Sequence, residues 1–432
     1  MSVIGITLIA FFVLLFLGLP VVFVLGVCSI FYFVVSGSIQ LLYTVPTRLF
    51  QGVDSFVLMA IPLFSFAGEI MNRGAIVESL ISLADVLVGK VRGGLGYVNV
   101  LDSTFFGGIT GSALSDVAAL GSIMIPAMEK AGYDKKFSTA VTAATAIQGP
   151  LIPPSIPAVL VSAATGISVG ALFLGGAIPG LLVGLSCAVI VYIRSRKRNY
   201  PRSQENFTLK RLLRGITSAF FPLLTPLIIM GGILTGIFTP TEAAAVAVLY
   251  ALVLTGLVYR SFSGKEFLSS LLSTIMTTSK IFLIIGAASI FAWILSIENI
   301  PTIMADWLLG FSNNAVVTLV MINLFVLWWG MWIDTAPAIV LLLPILHPVA
   351  QKIGLHDVHF GVIMVLNLMI GQLTPPFGMT LFTAQAVGKC PLMDLIKELV
   401  PFILAQVVVL ALVSYLPLIS MVLPKLFGLI EQ

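Results

Sequence analysis

Sliding the sequence past itself by 222 positions brings its helix-breaking residues into coincidence without a gap. Gly108 falls on Gly330, Pro126 on Pro348, Gly132 on Gly354, Gly149 on Gly371, Pro153-Pro154 on Pro375-Pro376, Gly166 on Gly388 and Pro179 on Pro401. Composition alone would give roughly one such match, so the eight mark an internal duplication. In an apolar chain, two halves with matched interruptions predict a secondary transporter, whose broken helices meet at mid-membrane and build a site from backbone groups.

The chain is apolar enough for that reading. Hydrophobic residues make up 59% of it, charged residues only 9%, and the mean hydropathy is +1.12. Those values exclude a soluble domain. Val3 to Val35, Leu181 to Ile193, Pro240 to Tyr259 and Val400 to Leu423 carry few or no charges. Such runs predict helices, because hydrocarbon offers backbone groups no partner. They lack the polar–apolar alternation of an outer-membrane barrel. The opening stretch, Met1 to Pro20, lacks a basic start and a clear cleavage signal, so it reads as a retained helix. Cys28, Cys187 and Cys390 are dispersed in or beside apolar segments and predict small buried residues, not a disulfide framework or a metal cluster. The net charge of +4 comes mostly from one loop and implies no nucleic-acid partner.

That loop carries Arg194, Arg196, Lys197, Arg198, Arg202, Lys210, Arg211 and Arg214, and the positive-inside rule places it in the cytoplasm. It also divides the chain: residues 1–193 are the first repeat, 194–215 a basic linker and 216–432 the second repeat. Lys90 and Arg92 precede the segment 94–128, and Lys130, Lys135 and Lys136 follow it. Both ends are then cytoplasmic, which makes the segment a re-entrant hairpin. The five equivalent positions are Ser312, Asn314, Lys352, Asp357 and Val358, with one basic residue in place of five. The second hairpin, 316–349, is therefore expected to enter from the opposite face, so that the repeats have inverted topology. Each half is expected to hold five crossings besides its hairpin, with both termini external. The crossings fall near 3–18, 20–36, 57–72, 137–165 and 171–193, and near 216–236, 240–259, 275–297, 360–386 and 399–423. Those within 1–72 and 216–297 are scaffold helices, and 137–165 and 360–386 are the broken helices. Ser38 to Asp54 and Ser261 to Ser273 read as amphipathic arms along the interfaces.

Two groups of residues could carry chemistry. The first is the hairpin tips, Gly108 to Asp116 and Gly330 to Pro337, where glycine frees backbone carbonyls and Thr, Ser and Asp supply the hard oxygens a small cation needs. Ser112 and Asp334 could equally be helix caps. The second is the pair of Pro-Pro breaks, Gln148 to Ser155 and Gly371 to Phe377, where lost amide donors leave carbonyls unpaired. Thr239-Pro240-Thr241-Glu242 reads as a capping box. Glu69 and Asp102 are apolar-flanked acids close to the cytoplasmic interface, open to an ion- or proton-transfer role. His356-Asp357-Val358-His359 reads as a solvated external turn, not a metal site. No P-loop spacing precedes Gly89-Lys90, Gly264-Lys265 or Gly388-Lys389, and there is no H-E-x-x-H. The chain reads as a transporter and not an enzyme, with no basic residue standing clearly inside the site.

At these residues the chain resembles the large membrane subunit of the tripartite ATP-independent periplasmic (TRAP) transporters, the DctM/SiaM type. The resemblance covers essentially the whole length, and Gly149-Pro150-Leu151-Ile152-Pro153-Pro154-Ser155 with Gly371-Gln372-Leu373-Thr374-Pro375-Pro376 is its most specific part. It implies an all-α, multi-pass protein of the bacterial inner membrane with an ion-transporter-like elevator. It implies Na+-driven import of small organic acid anions such as sialic acid or C4-dicarboxylates. It also implies a small four-helix membrane subunit and a periplasmic substrate-binding protein; the external face around the Ser312–Ala315 and Ile353–His359 turns is the expected dock for the latter. Mapped residue by residue, the sodium ligands would be Thr110, Ser112, Ser115, Gly149, Pro150, Asp334, Thr335, Gly371 and Thr374. Gly111, Pro154, Ser155 and Pro376 are the expected contacts for the anion. A stand-alone sodium/dicarboxylate symporter is the alternative, distinguished by uptake without a binding protein.

Overall fold

The computed structural model describes residues 3–72, 75–202, 208–311 and 314–430. Residues 203–207 of the linker, Ser312 in the turn before the second hairpin, and the repeat-bounding residues 1, 2, 431 and 432 lie outside the described residues. Among the described residues the chain forms twenty α-helices and no strand.

The first half opens with α1 (Val3–Phe16), α2 (Val21–Val35), α3 (Val45–Val53), α4 (Ala60–Met71) and α5 (Ala75–Val88). A helical hairpin follows, α6 (Gly94–Thr110) and α7 (Ala113–Lys130), then a broken helix, α8 (Lys135–Ala146) and α9 (Ile156–Thr165), and α10 (Val169–Lys197). The second half runs α11 (Leu209–Leu234), α12 (Pro240–Val253), α13 (Gly264–Ile297) and α14 (Ile300–Phe311). Its hairpin is α15 (Ala315–Gly330) and α16 (Thr335–Lys352), its broken helix α17 (Asp357–Gly371) and α18 (Met379–Gly388), followed by α19 (Leu392–Tyr415) and α20 (Leu418–Leu426). Displaced by 222, the bounds of α7 become those of α16, and α6, α8, α9 and α10 land within a few residues of α15, α17, α18 and α19.

Among the described residues six helices are each long and apolar enough to cross a membrane: Val169–Lys197, Leu209–Leu234, Pro240–Val258, Gly264–Ile297, Thr335–Lys352 and Leu392–Tyr415. The broken helices divide their length between two short halves. Their inner ends fall where proline removes backbone donors and glycine loosens the helix.

Lipid supplies no hydrophobic drive between helices, so close packing and interhelical hydrogen bonds must hold the bundle. In the first half, Asn99 Nδ2 on α6 donates to Thr142 Oγ1 on α8 at 2.7 Å, and Ser103 Oγ donates to Thr145 Oγ1 at 3.0 Å. In the second, Asn367 Nδ2 on α17 donates to the Asn323 carbonyl on α15 at 2.9 Å. Each hairpin is thereby tied to the broken helix that follows it. The returning helices cross between halves: α7 packs on α8 and on α18, α16 on α17 and on α9. Where α18 meets α8, a methyl group on Gly388 would lie 2.2 Å from Thr139 Oγ1, so only glycine fits. Phe11, Phe291 and Trp329 stack at centroid distances of 5.4 and 6.3 Å, joining α1 and α13 to the second hairpin.

Several expectations are revised. The arm expected at Ser261 to Ser273 and the crossing at 275–297 are one continuous helix, α13, 34 residues long. A capping box of Ser263 and Glu266 starts it at Gly264. The counterpart in the first half does break, with Ile39–Val53 bent by 61° from Val57–Met71. The linker is shorter than 194–215, because α10 runs through Lys197 and α11 begins at Leu209. Two helices, α5 and α14, were not expected, and Pro417 divides the segment after α19 to give α20. His359 is not in a solvated turn: it is buried on α17, with Nδ1 at 2.7 Å from Ser420 Oγ and Nε2 at 3.2 Å from the Ser414 carbonyl. The capping box at Thr239 and Glu242 is present, and all three cysteines are buried and unbridged.

Candidate functional site

The first tip forms because Gly111 takes a left-handed backbone, φ +61°, and ends α6. Ser112 is extended and caps α7, its Oγ accepting the Ser115 N–H at 3.4 Å. The tip lies directly on the first break. A methyl group on Gly111 would sit 2.3 Å from the Pro154 carbonyl oxygen, and one on Gly107 2.6 Å from the Gly149 Cα. In the break, Ser155 caps α9 through the Ala158 N–H at 3.1 Å and donates its hydroxyl to the Pro150 carbonyl. Among the described residues no backbone N–H reaches the carbonyls of Gly149, Leu151, Pro153 or Pro154.

The second tip turns through Met331, Trp332 and Ile333 to Asp334, which caps α16 by accepting the Thr335 N–H at 2.7 Å on Oδ1. Gln372, at the start of the second break, donates Nε2 to that same oxygen and to Thr335 Oγ1 at 2.7 Å. Its Oε1 accepts from Thr380 on α18 at 3.0 Å, so one side chain connects tip, break and the following half-helix. Backbones touch here too: a methyl group on Gly371 would lie 2.7 Å from the Gly330 Cα, and the Phe377 N–H donates to the Met331 carbonyl at 3.2 Å. Ser112 and Asp334 are thus both caps. Capping and ion binding are compatible, because among the described residues no donor reaches Asp334 Oδ2.

A cavity of about 890 Å³ lies between the two tips. Thr110, Gly111, Ser112, Ser115 and Pro150 line it from the first half, Asp334 and Thr335 from the second. The structure therefore gathers seven of the thirteen residues singled out in the sequence around one space. Gly149, Pro154, Ser155 and Gly371 are buried behind the tips, Thr374 Oγ1 donates back to the Ile370 carbonyl at 2.9 Å, and Pro376 is exposed elsewhere. Asp116 turns away from the cavity into the α6–α7 interior with Asp102, both wholly buried. The Ser103 hydroxyl lies against Asp116 but gives its hydrogen to Thr145, leaving both carboxylates without a hydrogen-bond partner among the described residues.

The rest of the cavity's wall comes from α4 and α13, from the α1–α2 connection and from parts of α9, α17 and α18. Glu69 lines it from α4 and accepts from Ser273 Oγ at 3.0 Å. Lys280 lines it from the middle of α13, so the expectation that no basic residue stands inside the site is corrected. Its sequence signal was available, since a lone ionisable residue in an apolar span is a functional candidate by default.

Residues 8–419 match the family described as the DctM component of the tripartite ATP-independent periplasmic transporters. The chain belongs to the DctM family. The sialic acid TRAP transporter large permease SiaM of Vibrio cholerae is 41% identical over 417 residues, 96% of each chain. The C4-dicarboxylate large permease DctM of Pseudomonas aeruginosa is 37% identical over 88% of this chain and 89% of its own. The isethionate permease DctMQ of Oleidesulfovibrio alaskensis is 39% identical, matching 95% of this chain and 65% of its own. The crystal structure of the YdaH transporter of Alcanivorax borkumensis shares the fold at a TM-score of 0.59 and 14% identity, covering 88% of both chains. This DctM-family chain is a multi-pass protein of the bacterial inner membrane with a solute-transport role, and its relatives are named permeases, not enzymes.

Proposed function

We propose that the chain imports small organic acid anions together with Na+, as the large membrane subunit of a tripartite, binding-protein-dependent system. The convergence of both hairpin tips on one cavity supports this reading most directly. The helix N-termini at Ser112 and Asp334 carry partial positive charge suited to a carboxylate, and the carboxylate, hydroxyl and carbonyl oxygens around them suit sodium. The names of the relatives, which specify sialic acid, C4-dicarboxylates and isethionate, support an acidic substrate. Inward movement of each net positive charge gains about 2.3 kcal/mol per 100 mV, so more than one sodium per monoanion would draw on the membrane potential. The tips and broken helices form the moving body of an elevator, and a small four-helix subunit completes the scaffold.

Uptake into proteoliposomes tests this. With the small subunit and a binding protein present, an inward sodium gradient should drive accumulation of one acid from a panel, and removing either sodium or the binding protein should reduce it to background. Equal uptake without the binding protein would favour the stand-alone symporter, and flux indifferent to sodium a channel.

The inverted arrangement predicts that Lys130→Cys reacts with a membrane-impermeant thiol reagent only from the cytoplasm and Lys352→Cys only from the periplasm. The native cysteines are buried, so background labelling should be low. Reaction of both from one side would make the repeats parallel.

A further inference from the structure

We infer that Lys280 is the cation that pairs with the substrate's carboxylate in the central cavity. The inference rests on the anion-transport reading above and adds to it a residue outside the tips and breaks. Lys280 lies midway along α13, at least sixteen residues from either end. It lines the cavity, with Thr277 one turn before it on the same wall.

Neither acid on the lining forms an ion pair with Lys280. Glu69 accepts from Ser273, and Asp334 accepts from Gln372 and from the Thr335 amide. Lys280 has no ion-pair partner among the described residues. An ammonium that faces this cavity without an ion-pair partner offers a counter-charge to an acid that enters. Sodium cannot play that part, and a carboxylate or sulfonate can. The tips supply oxygens, which attract cations; α13 supplies the single full positive charge on the lining, which attracts the acid. Division of labour follows: sodium affinity belongs to the tips, acid affinity to Lys280.

The test uses the complete assembly carrying Lys280→Met or Lys280→Arg, with sialic acid, succinate and isethionate as probes. For whichever acid the wild type takes up, Lys280→Met should raise KM at least tenfold while the sodium concentration for half-maximal rate stays within twofold. Lys280→Arg should restore KM to within about threefold. An unchanged KM, or a loss of maximal rate alone in a protein that still elutes as one species, would make the residue structural and overturn the inference. Calorimetric binding of the same acids to detergent-purified protein separates this from the broader proposal. Binding lost in Lys280→Met, with wild-type uptake indifferent to sodium, would retain Lys280 and refute sodium coupling. If none of the three acids binds the wild type, the inference fails.

Discussion

Asp334→Asn is expected to abolish sodium-driven uptake in a protein that still inserts, purifies and melts like the wild type. The asparagine oxygen can still accept from the Thr335 amide and Gln372 Nε2, so the cap of α16 and the tie to the second break survive. Only the negative charge and one strong cation ligand are lost. Asp334→Ala removes the cap as well, and should add a stability loss of about 0.5–2 kcal/mol to the same transport defect. Initial uptake rates set beside thermal melts distinguish the two. More than half the wild-type rate in the Asn variant would remove Asp334 from cation binding. A milder loss of sodium affinity should follow Ser112→Ala, since a hydroxyl is one ligand among several.

Gly111→Ala should be nearly as damaging by a purely mechanical route. Its backbone is left-handed, which costs an alanine roughly 1–2 kcal/mol, and its new methyl group would press on the Pro154 carbonyl at 2.3 Å. That carbonyl belongs to a proline in a break and cannot swing aside as a flexible side chain would. Gly132 provides the control, with φ +92° and nothing within 4 Å of its Cβ position. Gly132→Ala suffers the backbone cost alone and should keep most of its transport. Equal rates in the two variants would show that the tip does not need its seat on the break.

What the sequence disclosed was where helices stop. Glycine and proline punctuate both hairpin tips and both breaks, and those are local events that need no knowledge of neighbours. Helices α5 and α14 escaped because they are short and carry acids within otherwise apolar runs, Glu78 and Asp85 in one and Asp306 in the other. The continuity of α13 was missed by reading the polar stretch after Ser261 as an interface, although Ser263 and Glu266 already marked a helix start. Lys280 was passed over and His359 misplaced for a different reason. What a helical residue faces depends on elements far off in sequence, such as the tips opposite Lys280, or Ser414 and Ser420, 55 and 61 residues beyond His359.

The straight helix α13 and its creased counterpart have a thermodynamic implication. If inverted halves were true equivalents, exchanging their conformations would turn the outward-facing state into the inward-facing one at no change in energy. Here one frame element is an unbroken rod of 34 residues and the other bends by 61°. The two halves differ here in sequence as well as in shape, so nothing obliges the two facing states of the empty carrier to be equal in energy.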